Sequence, residues 1–172
     1  MGCDIHVYLE LAEKPKPDRV PLVRYLASMN TWRDYQLFGV LAGVREGAAV
    51  IKPRGVPEDM NWFAASKYYL FVSDDPDTAA MTRYVTSKQA DDWIAQGLSY
   101  ETSLELPNET IRRITDPDIH TASHLSLSEL ERCAVEYTKR TNRTSHDLNA
   151  IIGCLKAYEE IGMPRMCFWF DN

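Results

Sequence analysis

Hydrophobic and polar positions alternate strictly at the start of the chain. In "CDIHVYLEL" Ile5, Val7 and Leu9 fall on one side and Asp4, His6, Tyr8 and Glu10 on the other, the period-two pattern of a strand. Asp4 and His6 therefore share a face, because residues two apart on a strand point the same way. "EKPKPDRVP" is broken by prolines and charges and reads as a loop. In "NTWRDYQLFGVLAGVRE" the spacing of Trp32, Tyr35, Leu37, Phe38 and Leu41 is near helical, with Asn30 or Thr31 as the cap and Gly43 as the stop.

Further along, "VIKPRGVPEDM" is a second Pro/Gly loop carrying Lys52 and Arg54. Pro57 can open a short helix through "EDMNWFAASK", and "YYLFV" then reads as a strand. Ser87 is expected to cap the helix "KQADDWIAQ", closed by Gly97, and "SYETSLEL" and "TIRRI" are strand-like. Ser126 and Glu129 form a capping box ahead of "ELERCAVEYTKR". Ser145 caps the strongest helix signal, whose apolar stripe runs Leu148, Ile151, Ile152, Leu155, Tyr158, Ile161. Gly162 ends it, Pro164 forbids continuation, and "RMCFWF" makes a last strand ending in Asp171-Asn172. Strands at both ends with helices between them predict a single α+β domain over residues 1–172. Its mixed or antiparallel sheet should include both terminal strands, with about four helices.

Composition narrows the function. The 172 residues carry a formal net charge of -6, which argues against a DNA- or RNA-binding protein, since such a protein needs a basic face. Four cysteines without a C-x-x-C spacing signal neither a zinc knuckle nor a disulfide framework. Polar residues begin at Asp4 and no apolar run approaches a bilayer span, so a cytoplasmic protein with no membrane contact is expected.

The candidate chemistry starts from a repeat. Asp-Ile-His occurs at Asp4–His6 and again at Asp118–His120, taking two of the four histidines. Carboxylate and neutral imidazole are common ligands of divalent metals, so Asp4, His6, Asp118 and His120 are candidate catalytic and metal-binding residues of a hydrolase or phosphodiesterase. A strand Asp and His can equally serve as hydrogen-bonding groups of the fold. Ser126 as a cap places His120 and His124 before the helix, and "HLSL" matches one copy of the motif that two-histidine phosphoesterases carry twice. A second group is basic and aromatic: Trp32, Arg33, Arg45 and Arg54. With His6 and His120 these are candidate ligand-binding residues for a nucleotide-like molecule, arginine forking onto phosphate and tryptophan stacking on a base. The closing "FWFDN" would join Asp4 and His6 if the first and last strands are neighbours.

The segments "GCDIH", "RDYQLFGVLAGVR", "PRGVPED", "DIHTAS" before "LSLSEL", and "FWFDN" together resemble a family of small bacteriophage and prophage proteins opening with GCDIH and ending in FDN. The resemblance spans the chain and implies an accessory protein working inside the host cell. In that family an aromatic often follows the serine of the D-x-H segment, where His124 stands here, so His124 is not expected to be essential. The resemblance brings no established activity, but small acidic phage proteins without catalytic signatures often act on host defence. The expected role is therefore counter-defence: capture of a nucleotide signal of host immunity, or inhibition of a host protein through loops around 13–21 and 52–60. Oligomeric state is not legible from the sequence.

Overall fold

The computed structural model describes residues 2–14, 22–79 and 81–171. The chain is α+β, and its described strands form two four-stranded sheets. By its contacts it divides into two compact units, Met1–Asn61 with His120–Asn172, and Trp62–Ile119.

The first unit holds β1 (Asp4–Ala12), β2 (Val23–Asn30), α1 (Tyr35–Ala42), most of β7 (Ile119–Ser126), α5 (Leu127–Thr141), α6 (His146–Lys156) and β8 (Met163–Asp171). Its strand order is β2-β1-β8-β7. The expected neighbourhood of the terminal strands is present: β1 pairs antiparallel with β8, Asp4 opposite Asp171 and His6 opposite Trp169. On the other side β1 pairs antiparallel with β2, His6 opposite Asn30, with a bulge-like register shift after Leu9.

Alternation sorts the side chains. Ile5, Val7 and Leu9 join Met166, Phe168 and Phe170 in a core closed by Phe38 of α1, Leu130 of α5 and Ile151 of α6. The opposite face of the two central strands is covered as well: Tyr8, Glu10, Cys167 and Trp169 are all buried. Glu10, on the side that alternation marks as polar, is therefore forced to find partners. It accepts from Asn61 N at 2.8 Å and from Arg165 Nε and Nη2 at 3.0 and 2.9 Å, and the Cys167 thiol donates to it at 3.4 Å.

The second unit contains α2 (Trp62–Tyr68), β3 (Tyr69–Val72), α3 (Pro76–Ala79), β4 (Tyr84–Val85), α4 (Ser87–Ala95), β5 (Glu101–Leu106) and β6 (Glu109–Thr115). Its sheet, ordered β4-β3-β6-β5, is mixed because β3 and β4 run parallel. Leu70, Val85, Ala90 and Ile114 form its small core, with Trp93 and Ile94 of α4 packed against them.

Several local expectations move. Helix α1 starts at Tyr35, because Asp34, not Asn30 or Thr31, caps it by accepting from the amides of Gln36 and Leu37. Thr86 rather than Ser87 caps α4. β2 and β7 were not legible as strands, and the described residues form six helices where about four were expected from pattern alone. The capping box at Ser126 and the Ser145 cap stand as read. Helix α6 nevertheless ends at Lys156, so Tyr158 and Ile161 lie beyond it. Gly39 is required by close approach: a Cβ there would lie 1.5 Å from the Glu46 carbonyl oxygen. No helix among the described residues is long and apolar enough to cross a membrane.

Candidate functional site

The β1–β8 register gathers a charged cluster at one end of the first sheet. Asp4 on β1 and Asp171 on β8 are cross-strand partners. Asp4 is held by a two-pronged bond from Arg33, Nε to Oδ1 at 2.5 Å and Nη2 to Oδ2 at 2.7 Å. These bonds push the Asp4 carboxyl below its usual range and raise the guanidinium pKa in turn. Gly2 makes room for this pair, because a Cβ there would meet Arg33 Nη1 at 2.5 Å. His6 donates from Nε2 to Asp171 Oδ2 at 2.8 Å, and its ring stacks on Trp169 with centroids 6.2 Å apart. The His6 side chain is 41% exposed, so the dyad faces solvent.

His120 reaches the same end of the sheet from β7. Its Nε2 lies 3.9 Å from the Cys3 sulfur, its Nδ1 lies 2.9 Å from Thr121 Oγ1, and its ring stacks on Phe170. Burial lowers the His120 pKa, and the charge of Arg45 lowers it further. Burial raises the Cys3 pKa, with Arg45 opposing. A thiol that is fully buried and pushed upward is not an activated nucleophile. Thr121 sits at φ 51 and Arg45 at φ 67. Positive φ is uncommon away from glycine and is strained for a β-branched residue. Arg33 and Arg45 balance Asp4 and Asp171, so with both imidazoles neutral the cluster carries no net formal charge, and each protonation adds one positive charge.

Next to His6 the strand order continues to Asn30 of β2. Asn30, Thr31 and Trp32 line a surface depression of about 310 Å³. Trp32 is 84% exposed, while Thr31 Oγ1 is buried with no hydrogen-bond partner among the described residues.

The candidate residues thus separate. Asp4, His6, Arg33, Arg45 and His120 converge, and Trp32 directly precedes Arg33. Arg54 belongs elsewhere: it forks onto Glu129 at 3.0 and 2.7 Å, bracing the first turn of α5. Asp118 lies in the second unit, in a turn where its amide donates to Asp116 Oδ1. Among the described residues no three His, Cys, Asp or Glu side chains are grouped to hold a metal ion. Within the first unit, Arg33 occupies both Asp4 oxygens. His124 pins a loop, its Nδ1 2.9 Å from the Gly55 carbonyl. The 52–60 loop is further fastened by Gly55 N to Ala122 O and by Arg165 to Asp59. Residues 15–21 of the other proposed contact loop, and Asn172, lie outside the described residues. Cys3 and Asp171 were missing from the candidate list. The "FWFDN" ending carried the only sequence signal for Asp171, and nothing local marked Cys3. The chain matches no family model, no curated protein and no solved structure.

Proposed function

We propose that this end of the sheet binds a nucleotide-like anion and holds it without breaking a bond. What supports the reading is the convergence of Arg33, Arg45, His6 and His120, with the depression lined by Asn30, Thr31 and Trp32 linked to it through the His6–Asn30 strand pairing and the Trp32–Arg33 step of the chain. Arginine forks and imidazole N–H edges suit phosphate oxygens. An exposed indole suits a base, and the unpartnered Thr31 hydroxyl with the Asn30 amide suits the polar edge of a base or ribose. Ligand binding would require Arg33 to share its edge with Asp4, so Arg45 and the imidazoles carry most of the phosphate recognition. Joined to the resemblance to phage accessory proteins, the reading is capture of a host immune nucleotide signal inside the cell.

The test incubates purified protein with linear and cyclic nucleotides, filters, heats the retained fraction and chromatographs both. One nucleotide missing from the filtrate and released intact by heat, with capture lost in Arg45→Ala and reduced in Trp32→Ala, is the expected result. New products would replace sequestration by catalysis. A panel that passes through unretained would overturn the nucleotide reading.

A further inference from the structure

In the second unit two of the three arginines have carboxylate partners. Arg83 bonds Asp116, and Arg112 holds Asp91 and Glu101 at 2.5 and 2.6 Å. Arg113 makes no ion pair among the described residues, in a unit with more carboxylates than cations. Its guanidinium lies over the Tyr69 ring, 4.0 Å from the centroid, and its Nε is buried with no hydrogen-bond partner among the described residues. The register explains its company. Arg113 stands opposite Phe71 on one side and Thr102 on the other, and Phe71 stands opposite Tyr84. Alternation puts Tyr69, Phe71, Tyr84, Thr102 and Arg113 on one face, each half-buried, while Leu70, Val85 and Ile114 form the core on the other. The Phe71 and Tyr84 rings lie 5.5 Å apart, tilted by 36°.

A guanidinium over a ring is attracted to the ring's face and still has N–H groups to offer an acceptor. Half-burying a cation without a counter-ion is unfavourable unless something supplies the anion. The surface beside this one is aromatic, so the complementary partner carries a negative group and a flat apolar body. We propose that this face is a ligand site for a small aromatic oxyanion, a carboxylate or a phosphomonoester, with Arg113 on the oxygens and the Phe71–Tyr84 pair against the ring. The site is independent of the cluster around His6 and does not rest on the nucleotide reading.

The experiment titrates the full chain with benzoate, phenyl phosphate, inorganic phosphate and neutral benzyl alcohol, by calorimetry and ligand-observed NMR. At least one aromatic anion should bind about tenfold tighter than benzyl alcohol or inorganic phosphate, and the better of the two names the oxyanion. Arg113→Gln should weaken it by about tenfold or more, and Arg113→Lys by less, because charge survives without the fork. Arg45→Ala should leave it unchanged. If Arg113→Gln fails to fold, Arg113→Lys and Phe71→Leu carry the test, each expected to weaken binding. Equal binding of benzyl alcohol, no saturable binding of either aromatic anion, or full affinity in a folded Arg113 variant would each overturn the proposal.

Discussion

Replacing Arg165 by methionine keeps most of the side-chain volume and removes the charge that faces Glu10. Glu10 is fully buried, and the Arg165 side chain is only 14% exposed. After the substitution Glu10 keeps the Asn61 backbone N–H and the Cys167 thiol as donors among the described residues, and Asp59 loses its bond from Arg165 Nη1. Removing one partner of a buried ion pair costs about 3–5 kcal/mol, because the remaining charge stays desolvated. In a protein of this size each kcal/mol moves the melting temperature by about 2–4 °C, so Arg165→Met should lower it by about 6–20 °C. Glu10→Gln keeps the shape and an acceptor while removing the charge. Added to Arg165→Met, it should recover part of the loss, giving a non-additive cycle by urea unfolding and calorimetry. A loss below about 1 kcal/mol in Arg165→Met, or strict additivity, would refute the view that this pair is a coupled, desolvated unit.

Other expectations follow from the same structure. Asp34→Ala removes the α1 cap and the acceptor of the Tyr137 hydroxyl at 2.6 Å, and should cost about 1–3 kcal/mol in urea unfolding. Ile151→Ala, at a fully enclosed position of α6, should cost about 2–5 kcal/mol by the same measurement. His120 has a folded pKa below its ordinary 6.5, chiefly through burial, so the unfolded chain binds the extra proton first. Stability should therefore fall as pH drops from 7 through 6.5 toward the lower folded value, and His120→Gln should flatten that slope in pH-dependent melting. Cys3, Cys133 and Cys167 are buried and their thiols are pushed up, Cys133 to about 11. A thiol reagent at neutral pH should label Cys154 first in the native protein and all four cysteines only after unfolding.

Local signals in the chain sufficed wherever one element decides its own structure. The alternation of Ile5, Val7 and Leu9 marked β1, the Ser126–Glu129 box and Ser145 marked the starts of α5 and α6, and "RMCFWF" marked β8. Strands at both ends, and hence the α+β class, followed from these alone. The candidate site was legible only as an inventory of residue types. Its assembly depended on β1 pairing with β8, which puts Asp171 against His6 across 165 positions. No local periodicity encodes which strands become neighbours. Tertiary structure likewise decided that Arg54 belongs to Glu129 and that His124 belongs to a loop carbonyl. It also assigned Asp118 to the second unit and collected the described strands into two sheets rather than one. Glu10 shows the reason most plainly. Its alternation reads as a solvent-facing polar position, yet it is fully buried, and burial then selects Arg165 and Asn61 as partners. Pattern along a chain reports which side of an element is apolar, whereas what covers the other side is settled by segments remote in sequence.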